Sequence, residues 1–221
     1  MFKDFRNYFK SKYPFKMTSF DDKMKSPVNV MSPYILEERE MHVTQMDVFS
    51  RLMAERIIMF AEEVNSDTAA TVIAQLQYLS SAAPGDITLL ISSPGGEVYS
   101  GYGIISTMDY IESDVITQNI GMCASMAAMI LMCGTKGKRG ALKYTRTMIH
   151  QPLSGISGQA SDIEIEANEI RKIKEELYDI IHERTGQGLD KIWKDADRNF
   201  WMTPDEAKEY GIIDEILVNK K

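Results

Sequence analysis

Ile87-Thr88-Leu89-Leu90-Ile91, breaking at Ser92-Ser93-Pro94-Gly95-Gly96, opens the stretch that decides the fold, and that stretch runs to His150. A second apolar run, Val115 to Ile120, ends in Gly121-Met122-Cys123-Ala124-Ser125-Met126. A third, Thr147-Met148-Ile149, delivers His150, with Pro152 two residues on. Each run reads as a short strand, and each ends in a turn able to present chemistry: a glycine pair, a serine, a histidine. Parallel α/β sheets gather reactive groups at strand C-termini, so three such ends in succession are more informative than any one alone.

Outward from this stretch, strands and helices alternate. Val48 to Phe60 reads as a short helix running into the buried strand Ile57-Ile58-Met59-Phe60. Ser66 or Asp67 caps the next helix, whose Ala70, Ile73, Ala74, Leu76 and Leu79 form an apolar stripe. Val98 to Ile111 is a helix with Ile104, Ile105, Met108 and Ile111 inward, and Ser125 opens another through Met132. Gly134 to Gly140 is a basic turn without the spacing of a phosphate loop. Ser161 and Glu164 are expected to form a capping box for a long amphipathic helix carrying Ile163, Ile170, Ile173, Leu177, Ile180 and Ile181 and ending near Gly186. A shorter helix follows over Asp190 to Asn199. Thr203, Pro204 and Glu206 then start a helix closed by Gly211, and Ile212 to Val218 is the last strand. This alternation predicts an α/β fold with parallel pairing.

The chain has 221 residues, enough for one substantial core. Its 44% hydrophobic and 26% charged residues suit a globular protein. A net charge of -7 argues against nucleic-acid binding. No apolar run approaches the ~20 residues of a membrane span, and the N-terminus lacks a secretory apolar segment. Cys123 and Cys133, the only cysteines, would stand ~15 Å apart on one helix, too far for a disulfide. They read as buried apolar residues in a reducing, cytoplasmic compartment. His42, His150 and His182 show no metal-ligand spacing, so no metal is expected. Residues 1–32, rich in aromatics and lysines, read as a leader, and residues 33–47 as a charged loop or hairpin.

Taken singly, Ser125 is a helix cap, His150 a buried strand-end histidine and Gly95-Gly96 a sharp turn. Together they suit acyl transfer. A serine between small residues at a strand-to-helix turn exposes its hydroxyl, and a helix start offers unpaired N–H groups for a developing oxyanion. A glycine lets backbone N–H approach a substrate carbonyl.

Ser93-Pro94-Gly95-Gly96, then Gly121-Met122-Cys123-Ala124-Ser125-Met126-Ala127-Ala128, then Met148-Ile149-His150-Gln151-Pro152-Leu153 resemble the proteolytic subunits of the Clp protease family (ClpP). The resemblance continues through Gly158 to Ile165, Thr185-Gly186-Gln187, Tyr210 to Asp214 and Phe49 to Leu52, covering about residues 33 to 218. It implies a serine endopeptidase of crotonase-like (ClpP/crotonase) fold with a projecting strand-helix handle at about 153–184. It further implies a homo-oligomer of two stacked heptameric rings around a chamber. Ser125 matches the nucleophile, His150 the general base, and the N–H groups of Gly96 and Met126 the oxyanion hole. Gln159, Asp197 and Arg198 match inter-ring positions, residues before Pro33 a propeptide, and Tyr34 to Asp47 the axial pore loop. No cofactor is implied, because ATP is used by an AAA+ unfoldase partner that delivers unfolded protein.

Two departures stand out. The third triad position, an aspartate in the family, is Asn199. Its oxygen can accept the histidine Nδ1 proton but carries no charge to stabilise imidazolium. In trypsin-like enzymes that exchange costs ~10⁴ in turnover. Asp195, one helical turn earlier, is a candidate substitute. At the partner-docking positions Thr88, Leu90, Tyr110, Gln118, Ile120 and Leu217, only Tyr110 is aromatic. The leading reading is peptide hydrolysis by Ser125, His150 and Asn199. A second is a low-activity structural subunit completing a ring with an active paralogue. A third, an acyl-CoA enzyme of the same fold, gives no reason for the serine-to-histidine spacing.

Overall fold

The computed structural model describes residues 34–39, 42–155 and 157–218. The leader expected at residues 1–32 lies outside them. The chain divides into two units, the first ending at Val48 and the second beginning at Phe49. In the first, β1 (Tyr34–Arg39) and β2 (His42–Asp47) form an antiparallel hairpin, one of the two forms the sequence suggests for this stretch.

The second unit is built on a seven-stranded sheet: β3 (Ile57–Phe60), β4 (Ile87–Ser93), β5 (Val115–Ala124), β6 (Arg139–Leu142), β7 (Arg146–Ile149), β8 (Phe200–Met202) and β9 (Glu215–Leu217). The pairings β3-β4-β5-β6-β9 are all parallel. On its edge away from β4, the long strand β5 serves two neighbours. Its Thr117–Asn119 portion pairs with β6 and its Met122–Ala124 portion with β7. Between them lies a bulge: Ile91 pairs with Asn119 and Ser93 with Cys123, so β5 gains two residues on β4. Such a bulge bends a strand and re-aims the residues beyond it. Here the residues beyond it, Met122 to Ala124, pair with β7 instead of β6.

Among the described residues, seven helices complete the fold: α1 (Val48–Ala54), α2 (Ser66–Ala82), α3 (Val98–Tyr110), α4 (Met126–Met132), α5 (Ala160–Thr185), α6 (Leu189–Asp195) and α7 (Pro204–Tyr210). Every residue of α4 is buried, which explains its lack of a polar face. Leu76 of α2, Ile104 of α3, Ile130 of α4 and Ile181 of α5 join Leu89 and Ile91 of the sheet in one core. Only the C-terminal part of α5 enters it, through Leu177, Tyr178 and Ile181, while Ile163 and Ile165 are exposed.

Several local expectations are corrected. The α2 cap is Asn65, in a capping box with Thr68, because its extended backbone frees the side chain to accept from the N–H groups of Asp67 and Thr68. The buried stripe is consequently Ala69, Val72, Leu76 and Leu79, not Ala70, Ile73 and Ala74. The box expected from Ser161 and Glu164 does not form, since α5 starts at Ala160 with Gln159 as N-cap and no side-chain cap. Residues 151–155 and 157–159 carry no strand, so within this subunit the handle is helix alone. Two strands lie where none was expected: β6 inside the basic turn region and β8 between two helices. The last strand is short, and Cys123 and Cys133 lie on β5 and at the C-terminal end of α4, both buried and free. Thr203 does cap α7 reciprocally with Glu206, and Gly186 and Gly211 close α5 and α7 in the left-handed conformation.

A buried ion pair ties these layers together. Arg139, 3% exposed, grips Asp214 through Nε at 2.9 Å and a terminal nitrogen at 2.7 Å. It also donates to the carbonyls of Met132 and Arg184, so β6, α4, α5 and the approach to β9 share one guanidinium.

Candidate active site

The three strand ends converge. Ser125 follows β5 with φ 54° and ψ -124°, a conformation that costs a side-chain-bearing residue on the order of 1–3 kcal/mol. Its N–H donates to Met148 O at 2.8 Å, locking the turn against β7. Although it occupies the N-cap of α4, its side chain makes no capping bond. The hydroxyl instead faces His150, with Oγ 2.7 Å from Nε2. Reading this serine as only a helix cap is therefore excluded.

The glycine pair packs on the same turn. A Cβ on Gly95 would lie 2.8 Å from Met126 N and 2.5 Å from Ala124 O, and Gly95 has φ 91°. Gly96, with φ 149°, passes so close to Val64 that a Cβ would meet its carbonyl oxygen. The bridge here is made by Val64 N to Gly95 O and Glu97 N to Val64 O, each 2.8 Å, which leaves the Gly96 N–H outside it. The Met126 N–H, first in its helix, has no intrahelical acceptor. Both amides are thus available beside Ser125.

His150 sits one residue beyond β7. In the antiparallel pairing of β7 with β8, Ile149 is opposite Phe200, so the next step of the register sets His150 beside Asn199. Burial pulls the imidazole below its ordinary value, and the side-chain hydrogen bond with Asn199 pulls the other way without prevailing. No carboxylate contributes. Asp195, the candidate substitute, is instead 2.9 Å from Lys191 Nζ. That expectation is corrected: Asp195 does not act on the ring, and the side chain that does is that of Asn199, which is exposed.

Asn119, which no local pattern singles out, fixes this geometry from below. It is fully buried, donating to Arg146 O at 3.0 Å and Thr147 Oγ1 at 3.2 Å and accepting from Gly121 N at 3.0 Å. One side chain thereby ties the β5 bulge to the strand that delivers His150. Beside the pair lies a slot of about 20 Å³ lined by apolar side chains including Val98, Met126, Met129, Ile149, Leu177 and Ile181. The last two come from α5, which sequence reasoning did not bring to the site.

Of the docking positions, Ile120 and Leu217 meet in a groove of about 520 Å³ with Leu142 and Tyr144. Leu90 alternates onto the half-buried face of β4, opposite Gln118. Tyr110 ends α3, exposed and outside that groove. Gln159 begins α5, while Asp197 and Arg198 are exposed in the turn before Asn199. Among the described residues, no group of three or more His, Cys, Asp or Glu side chains is placed to hold a metal ion. Among them, no helix is long and apolar enough to cross a membrane.

Comparison with known proteins places this geometry. Residues 38–220 match the family model described as Clp protease. The chain is 54% identical over 218 residues to the ATP-dependent Clp protease proteolytic subunit of Bacteroides fragilis strain YCH46, covering 98% of this chain and 99% of that protein. It is 51% identical over 215 residues to that of Porphyromonas gingivalis, covering 97% of each. It is 50% identical over 188 residues to subunit 2 of Parasynechococcus marenigrum, covering 85% of this chain and 95% of the relative. A serine and a histidine in hydrogen-bond contact at the ends of adjacent strands, within a match spanning most of the sequence, mean that this chain belongs to the Clp protease family of serine endopeptidases.

Proposed function

We propose that this subunit hydrolyses peptide bonds of unfolded proteins through Ser125, His150 and Asn199. The observation that carries this reading is the 2.7 Å separation of Ser125 Oγ and His150 Nε2 on a turn whose hydroxyl has no other duty. Ser125 Oγ attacks the scissile carbonyl while its proton passes to Nε2. The tetrahedral oxyanion takes hydrogen bonds from the Gly96 and Met126 N–H groups. The imidazolium then protonates the leaving amine, and water attacks the acyl-enzyme through the same base. Asn199 Oδ1 accepts the Nδ1 proton and so keeps Nε2 free to act as base. The apolar slot favours apolar side chains beside the scissile bond.

Hydrolysis itself needs no cofactor. ATP enters through an AAA+ unfoldase, which docks against the Ile120–Leu217 groove, with Leu90 on the neighbouring strand. Tyr110 joins such a surface only if an adjacent subunit brings it there. The exposed apolar residues of α5 and of the preceding segment, Leu153, Ile163 and Ile165, fit the facing ring of a homo-oligomer of two stacked heptamers, with Gln159, Asp197 and Arg198 at that junction. The β1–β2 hairpin fits the axial entrance.

A second reading is favoured by one observation: His150 has no carboxylate acting on it. A subunit of low intrinsic turnover, completing rings with a more active paralogue, fits that site equally. Turnover of an unstructured fluorogenic peptide by the purified assembly, beside its Ser125→Ala variant, tests both. Serine-dependent cleavage unaided supports the first reading. Cleavage only after mixing with a paralogue supports the second, and serine-independent cleavage sinks both.

A further inference from the structure

Asn199 is exposed, yet it stands against His150, and the side chains that hold it there come from its surroundings. Gln151, directly after His150, donates its side-chain amide to Asp197 O at 2.8 Å and to Asp197 Oδ1 at 3.3 Å. Its carbonyl oxygen accepts from Lys174 Nζ at 2.9 Å. Lys174 belongs to α5, and its ammonium lies 4.6 Å from the ring centroid of Trp193 on α6 and 5.4 Å from that of Tyr178. The two rings meet edge to face at 4.8 Å, forming two walls around the cation. Tyr178 closes the arrangement by donating its hydroxyl to Ala196 O at 3.2 Å.

The carbonyls of Ala196 and Asp197 are thus each held by a side chain, and Asn199 is two residues further on. Gln151 suits its place because its amide accepts from a cation through oxygen and donates to a carbonyl through nitrogen at once, from two separate atoms. Accepting from an ammonium polarises that amide and strengthens its donation. Cation–π contact with two rings keeps the flexible lysine in one geometry. A solvated surface lysine has no such box.

We propose that Lys174 and Gln151 form a positioning clasp that fixes the 196–199 turn beside His150 and so aligns Asn199 with the imidazole. They are positioning residues, touching neither substrate nor the reacting atoms. The clasp matters because Asn199 lacks the charge that would pull it onto His150 unaided. A ring support displaced by about 1 Å costs on the order of 10²-fold in rate.

This inference rests on the proposed peptidase reading, and the test separates the two. On the purified assembly, kcat and KM for an unstructured fluorogenic peptide and the rate of Ser125 labelling by a fluorophosphonate are measured. The variants are Lys174→Met, Lys174→Arg, Gln151→Glu and the Lys174→Met/Gln151→Glu pair, with sedimentation and thermal unfolding alongside. Gln151→Glu keeps the contact with Lys174, loses the donor to Asp197 and sets a carboxylate against Asp197 Oδ1, so it opens the clasp without unpairing the lysine. The expected result is a kcat and labelling rate lower by about 10- to 100-fold in Lys174→Met and Gln151→Glu, with KM nearly unchanged. Lys174→Arg should restore most of the rate, and the double variant should be no worse than its worse parent, as for residues acting as one unit. Unchanged kcat in Gln151→Glu, additive losses, or a loss that tracks disassembly and resists Lys174→Arg would overturn the clasp. A wild-type assembly that is neither labelled at Ser125 nor active would overturn the peptidase reading itself.

Discussion

Two turns flank His150, and they are held in different ways. The serine turn is fixed by the backbone: Ser125 N–H on Met148 O, the Gly95-Gly96 loop against Val64 and Ala124, and a wholly buried helix behind. The asparagine turn is exposed and held by side chains, through Gln151, Tyr178 and, at one remove, Lys174. A close-packed backbone has little freedom to relax, whereas side-chain bonds at a surface compete with water. The proposed nucleophile and oxyanion donors are therefore preorganised, and the proposed support of the base is the adjustable part of the site.

Removing the serine hydroxyl tests the rigid half most severely. Ser125→Ala should lower kcat by about 10⁶, the scale seen when a serine protease loses its nucleophile, and should abolish fluorophosphonate labelling. An intact rate would mean that the 2.7 Å contact is idle. The adjustable half is tested by a gain. Asn199→Asp supplies the missing charge and forces the tautomer in which Nε2 is free. Turnover should rise, by up to the ~10⁴ that the reverse change costs elsewhere. A rise of that size would make Asn199 a brake and favour the mixed-ring reading. No rise would mean that the clasp already orients His150 fully.

The contrast extends to what could be read from residue order. Ser125, His150 and the glycine pair were legible because each ends an apolar run, a local signal that packing then respects. The α/β class and the long helix α5 were legible for the same reason. β6 was hidden because its Arg139 makes the stretch look like a solvated basic turn. Asp214, far along the chain, supplies the charge that makes burial of that arginine tolerable. β8, three residues long, is too short to show alternation. Asn119, Gln151 and Lys174 have no local signature, since their value lies in partners from other elements. Asp195 failed as a substitute because Lys191, one turn before it, holds it first.

Gly96→Ala sharpens the comparison at intermediate scale. The added Cβ meets Val64 O and must displace the loop, so the proposed oxyanion donor moves. Loss of one such donor costs about 10²–10³ in kcat, and KM should change much less. At the end of α4 away from Ser125, Asp214→Asn would leave Arg139 buried without its charge partner. Breaking a buried pair costs about 3–5 kcal/mol, which denaturant unfolding would register. Burial raises the Asp214 carboxyl, but the hydrogen bonds from Arg139 outweigh it and hold the group below its usual value. The wild-type pair therefore stabilises the fold above the usual carboxylate range and loses that contribution as pH falls through the depressed value, a loss the asparagine variant should not show.

The smallest effect falls on pH alone. In the proposed mechanism His150 acts as base only when neutral, and burial holds its titration below the ordinary histidine value of about 6.5. The acid limb of kcat/KM in the wild type should accordingly lie below that value, leaving the base competent in mildly acidic solution. Asn199→Asp places a negative charge beside the ring, which favours imidazolium and raises the histidine pKa. Its acid limb should move to higher pH even as the plateau rises. The two changes have one cause, so they must appear together. A higher plateau with an unmoved limb would show that residue 199 acts by orientation alone. A moved limb with an unchanged plateau would show that charge reaches the ring while alignment, set by the surface turn, was already complete.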